Sequence, residues 1–297
     1  MRLNSFQLSF IISSAIVFYI SVLIGYPSQF LNSSYSETSE ILNLSNEIIN
    51  STFPQIKTHN DNIYVIWSGN VGHGVDSEIQ SDIFLAKSEN KGNSFGESVN
   101  LSNNTGSSLN PQSETSSNNI YVVWEDDTLA KTYGQTANTG ILFRQSKDNG
   151  TTFLPPISLS SINADSSNPG ITAIKNDTVY VVWQDDLDES SKILYKKNIS
   201  NNNTLFSDQQ IISDNQGDNY EISPQIITSN DTVNIIWDDF NLKEGSSHIV
   251  KRSSIDGGIT FSQPINLSNT TNSNSINPQL AATANELFVV WQEDISG

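Results

Sequence analysis

The most regular feature of the chain is a short apolar run that ends in tryptophan and returns five times. The runs are IYVIW at Trp67, IYVVW at Trp124, VYVVW at Trp183, VNIIW at Trp237 and LFVVW at Trp291. They hold all five tryptophans, at spacings of 57, 59, 54 and 54 residues. Apolar residues occupy nearly every position of a run rather than alternate ones. Alternation marks a strand with one wet face, whereas a short continuous run marks a strand buried on both faces. Upstream of each run a proline (Pro54, Pro111, Pro169, Pro224, Pro278) opens a first strand-like stretch such as PQIITS. Downstream come a third stretch, ILFRQS from Ile141 or HIVKRSS from His248, and a fourth, PISLS or PINLS. The fourth carries its own landmark at Leu44, Leu101, Leu159, Ile212 and Leu267.

Each unit of about 55 residues therefore predicts four short antiparallel strands. That period, with one strand buried between its neighbours, fits radially packed propeller blades better than a stacked solenoid. The expected fold class is all-β: a β-propeller of four-stranded antiparallel blades, with four full repeats and a partial fifth, preceded by an N-terminal hydrophobic helix.

That helix is expected in residues 1–26. Arg2 precedes an apolar run from Phe6 to Ile24 that no acidic residue interrupts. A basic start before an apolar stretch is an export signal. The run is long enough to span a bilayer, and Gly25, Tyr26 and Pro27 offer no small-residue cleavage site. A retained membrane anchor and a cleaved signal peptide both remain open. Residues 27–40 read as a Ser/Asn-rich linker and 41–297 as the propeller. The expected location is extracellular or at the cell surface, with membrane contact through the N-terminal segment only.

The turn between the third and fourth strands carries a family resemblance. Ser146-Lys-Asp148-Asn-Gly150-Thr-Thr-Phe153 and Ser254-Ile-Asp256-Gly-Gly258-Ile-Thr-Phe261 resemble the Asp box, S-x-D-x-G-x-[ST]-[WF]. Ser88-Glu-Asn90-Lys-Gly92-Asn-Ser-Phe95 is a third copy with Asn for Asp, and the unit ending at Phe206 is degenerate. In such a turn the carboxylate accepts backbone N–H groups, the glycine takes a positive φ, and the aromatic is expected to staple the turn to its own blade. In phase with the tryptophans, these copies make the chain similar to the sialidase-like superfamily of Asp-box (BNR-repeat) propellers.

Sialidases have six blades. Glu40–Asn46 matches a fourth strand with no blade before it, so residues 41–46 are expected to complete the last blade. The sequence closes at Gly297, after the second strand of the fifth unit. The expectation is a chain incomplete at its C-terminus, with a five-bladed ring closed by a thin blade as the competing reading.

Charge and composition narrow the function. The formal net charge is −18, with 14 Lys+Arg against 32 Asp+Glu. A nucleic-acid partner is excluded on that balance, because phosphate binding needs a basic surface. There is no cysteine, hence no disulfide framework and no thiolate metal site. His59, His73 and His248 share no zinc-ligand spacing. Acidic pairs follow the second strand in four units: Glu125-Asp126-Asp127, Asp185-Asp186, Asp238-Asp239 and Glu293-Asp294. They are expected on loops of the face opposite the Asp boxes. Asp126, Asp185 and Asp238 are the candidates for a glycoside hydrolase acid and base. Asp127, Asp186, Asp239 and Asp294 are the candidates for Ca²⁺, which needs several oxygen ligands. Solvated loop ends are the plain alternative.

The resemblance implies an arginine triad, a Tyr–Glu nucleophile pair and an Asp acid, if activity carries over. Beyond the leader only Arg144 and Arg252 are present. Both stand two residues before the Asp-box serine, a place for a packing or inter-strand residue. The expectation is an exported propeller that binds a glycan or an extracellular protein without sialidase catalysis; a glycoside hydrolase using the acidic face is the alternative.

Overall fold

The computed structural model describes residues 41–297, except 46–47, 72–79, 133–137, 162–163, 175–176, 188–189, 199–204, 214–218, 243, 270–272, 285 and 296–297. The expected leader helix and linker lie outside the described residues. Among the described residues no helix is long and apolar enough to cross a membrane.

Each of the first four units folds as one four-stranded antiparallel sheet. Blade one comprises β1 (Ile49–His59), β2 (Asn62–Val71), β3 (Gln80–Ser88) and β4 (Val99–Asn100). Blade two comprises β5 (Ser108–Ser116), β6 (Asn119–Asp126), β7 (Gly140–Ser146) and β8 (Ile157–Ser158), with a short helix α1 (Thr128–Thr132) after β6. Blade three holds β9 (Asp165–Ala173), β10 (Val179–Leu187), β11 (Ser190–Lys197) and β12 (Gln210–Ile211). Blade four holds β13 (Asn219–Ser229), β14 (Thr232–Asn241), β15 (Ser246–Ser254) and β16 (Ile265–Asn266). The fifth sheet has two strands among the described residues, β17 (Ser273–Ala282) and β18 (Leu287–Ile295). First strands pack on one another in succession, β1 on β5, β5 on β9, β9 on β13 and β13 on β17. This leaves the two-residue fourth strands at the rim, where a short edge limits unwanted pairing.

The proline of each unit sets a bulge in its first strand. Proline cannot donate to the ladder, and the residue before it turns left-handed: Phe53 (φ 51°), Asn110 (49°), Asn168 (51°), Ser223 (52°) and Asn277 (54°). The strand register shifts at each of these points.

The core lies between sheets. Tyr121 and Val123 of blade two meet Val179, Val181 and Trp183 of blade three. Tyr64 and Ile66 of blade one meet Ile120, Val122 and Trp124 of blade two. Tyr180 and Val182 of blade three meet Val233, Ile235 and Trp237 of blade four. So the second strand buries both faces, one against each neighbour, as its continuous apolar run predicts. On β18 the outward face is uncovered, and Phe288 and Val290 are 51% and 64% exposed. Leu44 packs on Val65, Trp67 and Phe84 of blade one, as Leu101 packs at the seam between blades one and two.

Candidate functional site

The three turns that resemble Asp boxes share one hydrogen-bond pattern. Ser146 Oγ donates to Asp148 Oδ1 (2.8 Å) and accepts from the Gly150 amide (2.8 Å), while Asp148 accepts from the Thr152 amide (2.8 Å) and hydroxyl (2.6 Å). Ser254, Asp256, Gly258 and Thr260 repeat it, and Ser88, Asn90, Gly92 and Ser94 do so with an amide for the acid, except that Asn90 Nδ2 donates to the Ser94 hydroxyl (2.8 Å). Gly92, Gly150 and Gly258 have φ of 87°, 80° and 78°. The Thr152 hydroxyl and amide, with Ser146, hold the Asp148 carboxyl down at about 2. The acid is spent inside its own turn.

The aromatic of the turn packs on its own blade and, in three units, on the preceding blade as well. Phe261 of blade four sets its edge on Tyr195 of blade three, with ring centroids 5.1 Å apart. Phe206 of the degenerate unit in blade three does the same on Phe143 of blade two, also at 5.1 Å. Phe153 packs into the cluster between blades one and two. Phe95 joins the cluster on the Leu44 side of blade one. Phe153, Phe206 and Phe261 thus lie over a seam, where apolar surface of two blades is buried together.

The arginines serve the same seams. Arg144 donates through Nε to the Leu154 carbonyl (2.7 Å) and through a terminal nitrogen to the Leu101 carbonyl of blade one. Arg252 donates likewise to Ser262 and to the Ile212 carbonyl of blade three (2.6 Å). Lys196 reaches the Leu159 carbonyl of blade two (2.7 Å). In the three seams among blades one to four, one cation thus clips the fourth-strand landmark of the preceding blade. Of the three, Lys196 has its pKa lowered by burial, and the charge of Asp185 opposes that lowering.

Those acids belong to two different series. Asp126 and Asp185 lie inside strands rather than on loops, each 1% exposed. One oxygen of Asp126 accepts from Trp124 Nε1 (3.0 Å), Ser108 Oγ (2.8 Å) and Asn104 Nδ2 (2.7 Å), and the other from the Thr128 amide (2.9 Å). Asp185 Oδ1 accepts from Trp183 Nε1 (2.9 Å) and Ser166 Oγ (2.5 Å). Glu293 Oε2 accepts from Trp291 Nε1 (2.9 Å) and Ser275 Oγ (2.7 Å). Each is the second residue after its tryptophan. Burial pushes the Asp185 carboxyl up, against the pull of Ser166 and Trp183.

Asp238 is one residue after its tryptophan and so points to the other face of its sheet. Its counterparts are Ser68, Glu125, Gln184 and Gln292, at the cross-strand position of Thr52, Leu109, Ser167, Ile222 and Ile276. Glu125 accepts from the amide of Asn168 in blade three (2.7 Å), a bulge residue. Asp238 takes the equivalent bond from Asn277 of the fifth sheet. It is 2% exposed, and its Oδ1 has no hydrogen-bond partner among the described residues. Burial raises it to about 6, Ser247 opposing. The three catalytic candidates therefore fall in two series, and all three are buried. A general acid or base must come within hydrogen-bond reach of the reacting group.

The Ca²⁺ candidates stand apart, on four blades. Asp186 and Asp294 are exposed, while Asp127 accepts from the Ser107 amide (2.6 Å) and Asp239 from Asn219 Nδ2 (2.9 Å). Among the described residues no three His, Asp or Glu side chains stand together as a metal site. Sequence reasoning missed the serines that hold the buried acids. Ser108, Ser166 and Ser275 each stand three residues before the unit's proline, and that S-x-x-P phase was readable.

Solved structures share this architecture. A protein of unknown function from Dyadobacter fermentans superposes with a TM-score of 0.58 at 12% identity, covering 83% of this chain and 76% of that one. The leech intramolecular trans-sialidase gives 0.53 at 12% identity, covering 80% and 54%. The Hadza microbial sialidase Hz136 gives 0.50 at 12% identity, covering 79% and 52%. The chain has a sialidase-like propeller fold. It spans about half the length of the two sialidases it matches. No family model and no curated protein matches it.

Proposed function

We propose that this chain is an exported propeller that binds a glycan or an extracellular protein at the cell surface, without sialidase catalysis. One observation carries the reading: both arginines bind across a seam, and Asp126 and Asp185 are buried and committed to donors inside their own blades. Arg144 and Arg252 donate to main-chain carbonyls of the preceding blade. Asp126 and Asp185 are buried acceptors for Trp and Ser donors. The fold shared with sialidases supports a carbohydrate ligand in preference to other small molecules. The leader supports export. A glycan array and cell-envelope polysaccharide pull-down, run beside a fluorogenic sialoside assay, test this. Saturable binding with no turnover is the expected result. Turnover of a glycoside would replace it with the hydrolase reading, and an empty binding screen would sink it.

A further inference from the structure

In blades two, three and five a single carboxylate oxygen accepts both from the tryptophan Nε1 and from a first-strand serine. Blade one keeps the two donors and has no acid at the equivalent strand position. Thr52 pairs with Ser68 as Leu109 pairs with Glu125, so Ser51 takes the place of Ser108 and Gly69 that of Asp126. A Cβ at Gly69 would stand 2.3 Å from Ile48 Cγ2. Ile48 has filled the space through which a carboxylate would reach in.

The donors are left facing a cavity. Trp67 is 3% exposed. Both its Nε1 and Ser51 Oγ are buried without a hydrogen-bond partner among the described residues. Together with Leu42, Asn43, Leu44, Ser45, Thr52 and Pro54 they line a cavity of about 30 Å³. A water needs about 10–15 Å³ so measured, and polar partners. Among the described residues no charged side chain lines the cavity, and the protein carries a net charge of −18. An anion would lose its hydration there with no cation to meet it.

We propose that blade one binds one neutral acceptor oxygen, of a water or of a carbohydrate hydroxyl, between Trp67 Nε1 and Ser51 Oγ, where three other blades hold a carboxylate oxygen. The inference stands on this geometry and not on the glycan-binding reading. A high-resolution crystal structure of the full chain, alone and soaked in a neutral methyl hexoside, tests it. The expected result is an oxygen within hydrogen-bond distance of both donors. A water that persists in the soak assigns the source to solvent, and a sugar hydroxyl in its place assigns it to carbohydrate. A dry cavity, donors paired to protein acceptors, or a soaked formate taking the site would each overturn the proposal. In solution, W67F should lower the melting temperature less than W183F, because only the latter strips a donor from a buried carboxylate. An equal loss in both would count against an oxygen that solvent can replace.

Discussion

Tyr195 of blade three and Gly258 of blade four meet without room for a side chain between them. The tyrosine hydroxyl donates to the Gly258 carbonyl (3.3 Å), and a Cβ on that glycine would lie 1.9 Å from the same hydroxyl. Gly258 also has φ 78°, while its neighbour Gly257 has φ 68° and would meet only Tyr180 Oη, at 3.9 Å. G258A combines left-handed strain with displacement of a buried ring, so it should cost about 2–4 kcal/mol. G257A carries the strain alone and should cost about 1 kcal/mol. Urea unfolding of the two variants checks this; equal losses would mean that the seam yields freely at Tyr195.

Replacing Asp185 should unfold the protein rather than silence a reaction. D185A leaves Trp183 Nε1 and Ser166 Oγ buried without an acceptor, a loss of about 2–5 kcal/mol. The exposed neighbour Asp186 should tolerate alanine within about 0.5 kcal/mol. Chemical denaturation of both variants gives the comparison. A stable D185A protein would reopen a role in chemistry for this acid.

Stability should depend on pH through Asp238. Burial holds its carboxyl up at about 6 against an ordinary 3.8, so the folded state favours the protonated form. Asp239 adds to the upward shift, while Ser247, the Asn277 amide and His248 oppose it. The stabilisation brought by protonation is complete below about pH 4 and is lost as pH rises through about 6. D238N mimics the neutral state, as Gln184 does in blade three. It should be more stable than wild type at pH 8 by on the order of 2–3 kcal/mol, with the difference closing toward pH 4. Melting temperatures of both proteins across that range decide it.

The clip formed by Arg144 should accept lysine, because Lys196 makes the same contact one blade on. R144A should lose about 1–3 kcal/mol, and R144K clearly less. A sialoside assay on the same variants should find no arginine-dependent turnover. Equal stability of all three proteins would remove the clip from the account of the seam.

Much of the fold was legible because a blade is a local object. Its strands follow one another within about 55 residues, and burial on both faces writes a continuous apolar run at Tyr121–Trp124 or Tyr180–Trp183. The turn at Ser146–Phe153 was legible for the same reason, since Ser146, Asp148, Gly150 and Thr152 satisfy one another within seven residues. The acids were not. Asp238 looks equivalent to Asp126 and Asp185 when acidic pairs are compared, yet a shift of one residue in a strand moves a side chain to the opposite face.

By itself, then, the sequence determined the repeat, the strand order within a blade and the turn chemistry, all carried by neighbours in the chain. Only the tertiary structure decided what lies across a seam. Phe261 on Tyr195, Arg144 on the Leu101 carbonyl and Asp238 under the Asn277 amide join residues about 40 to 66 positions apart. The choice of partner there is set by how one sheet's surface fits the next, and packing at that distance leaves no periodic mark on the chain.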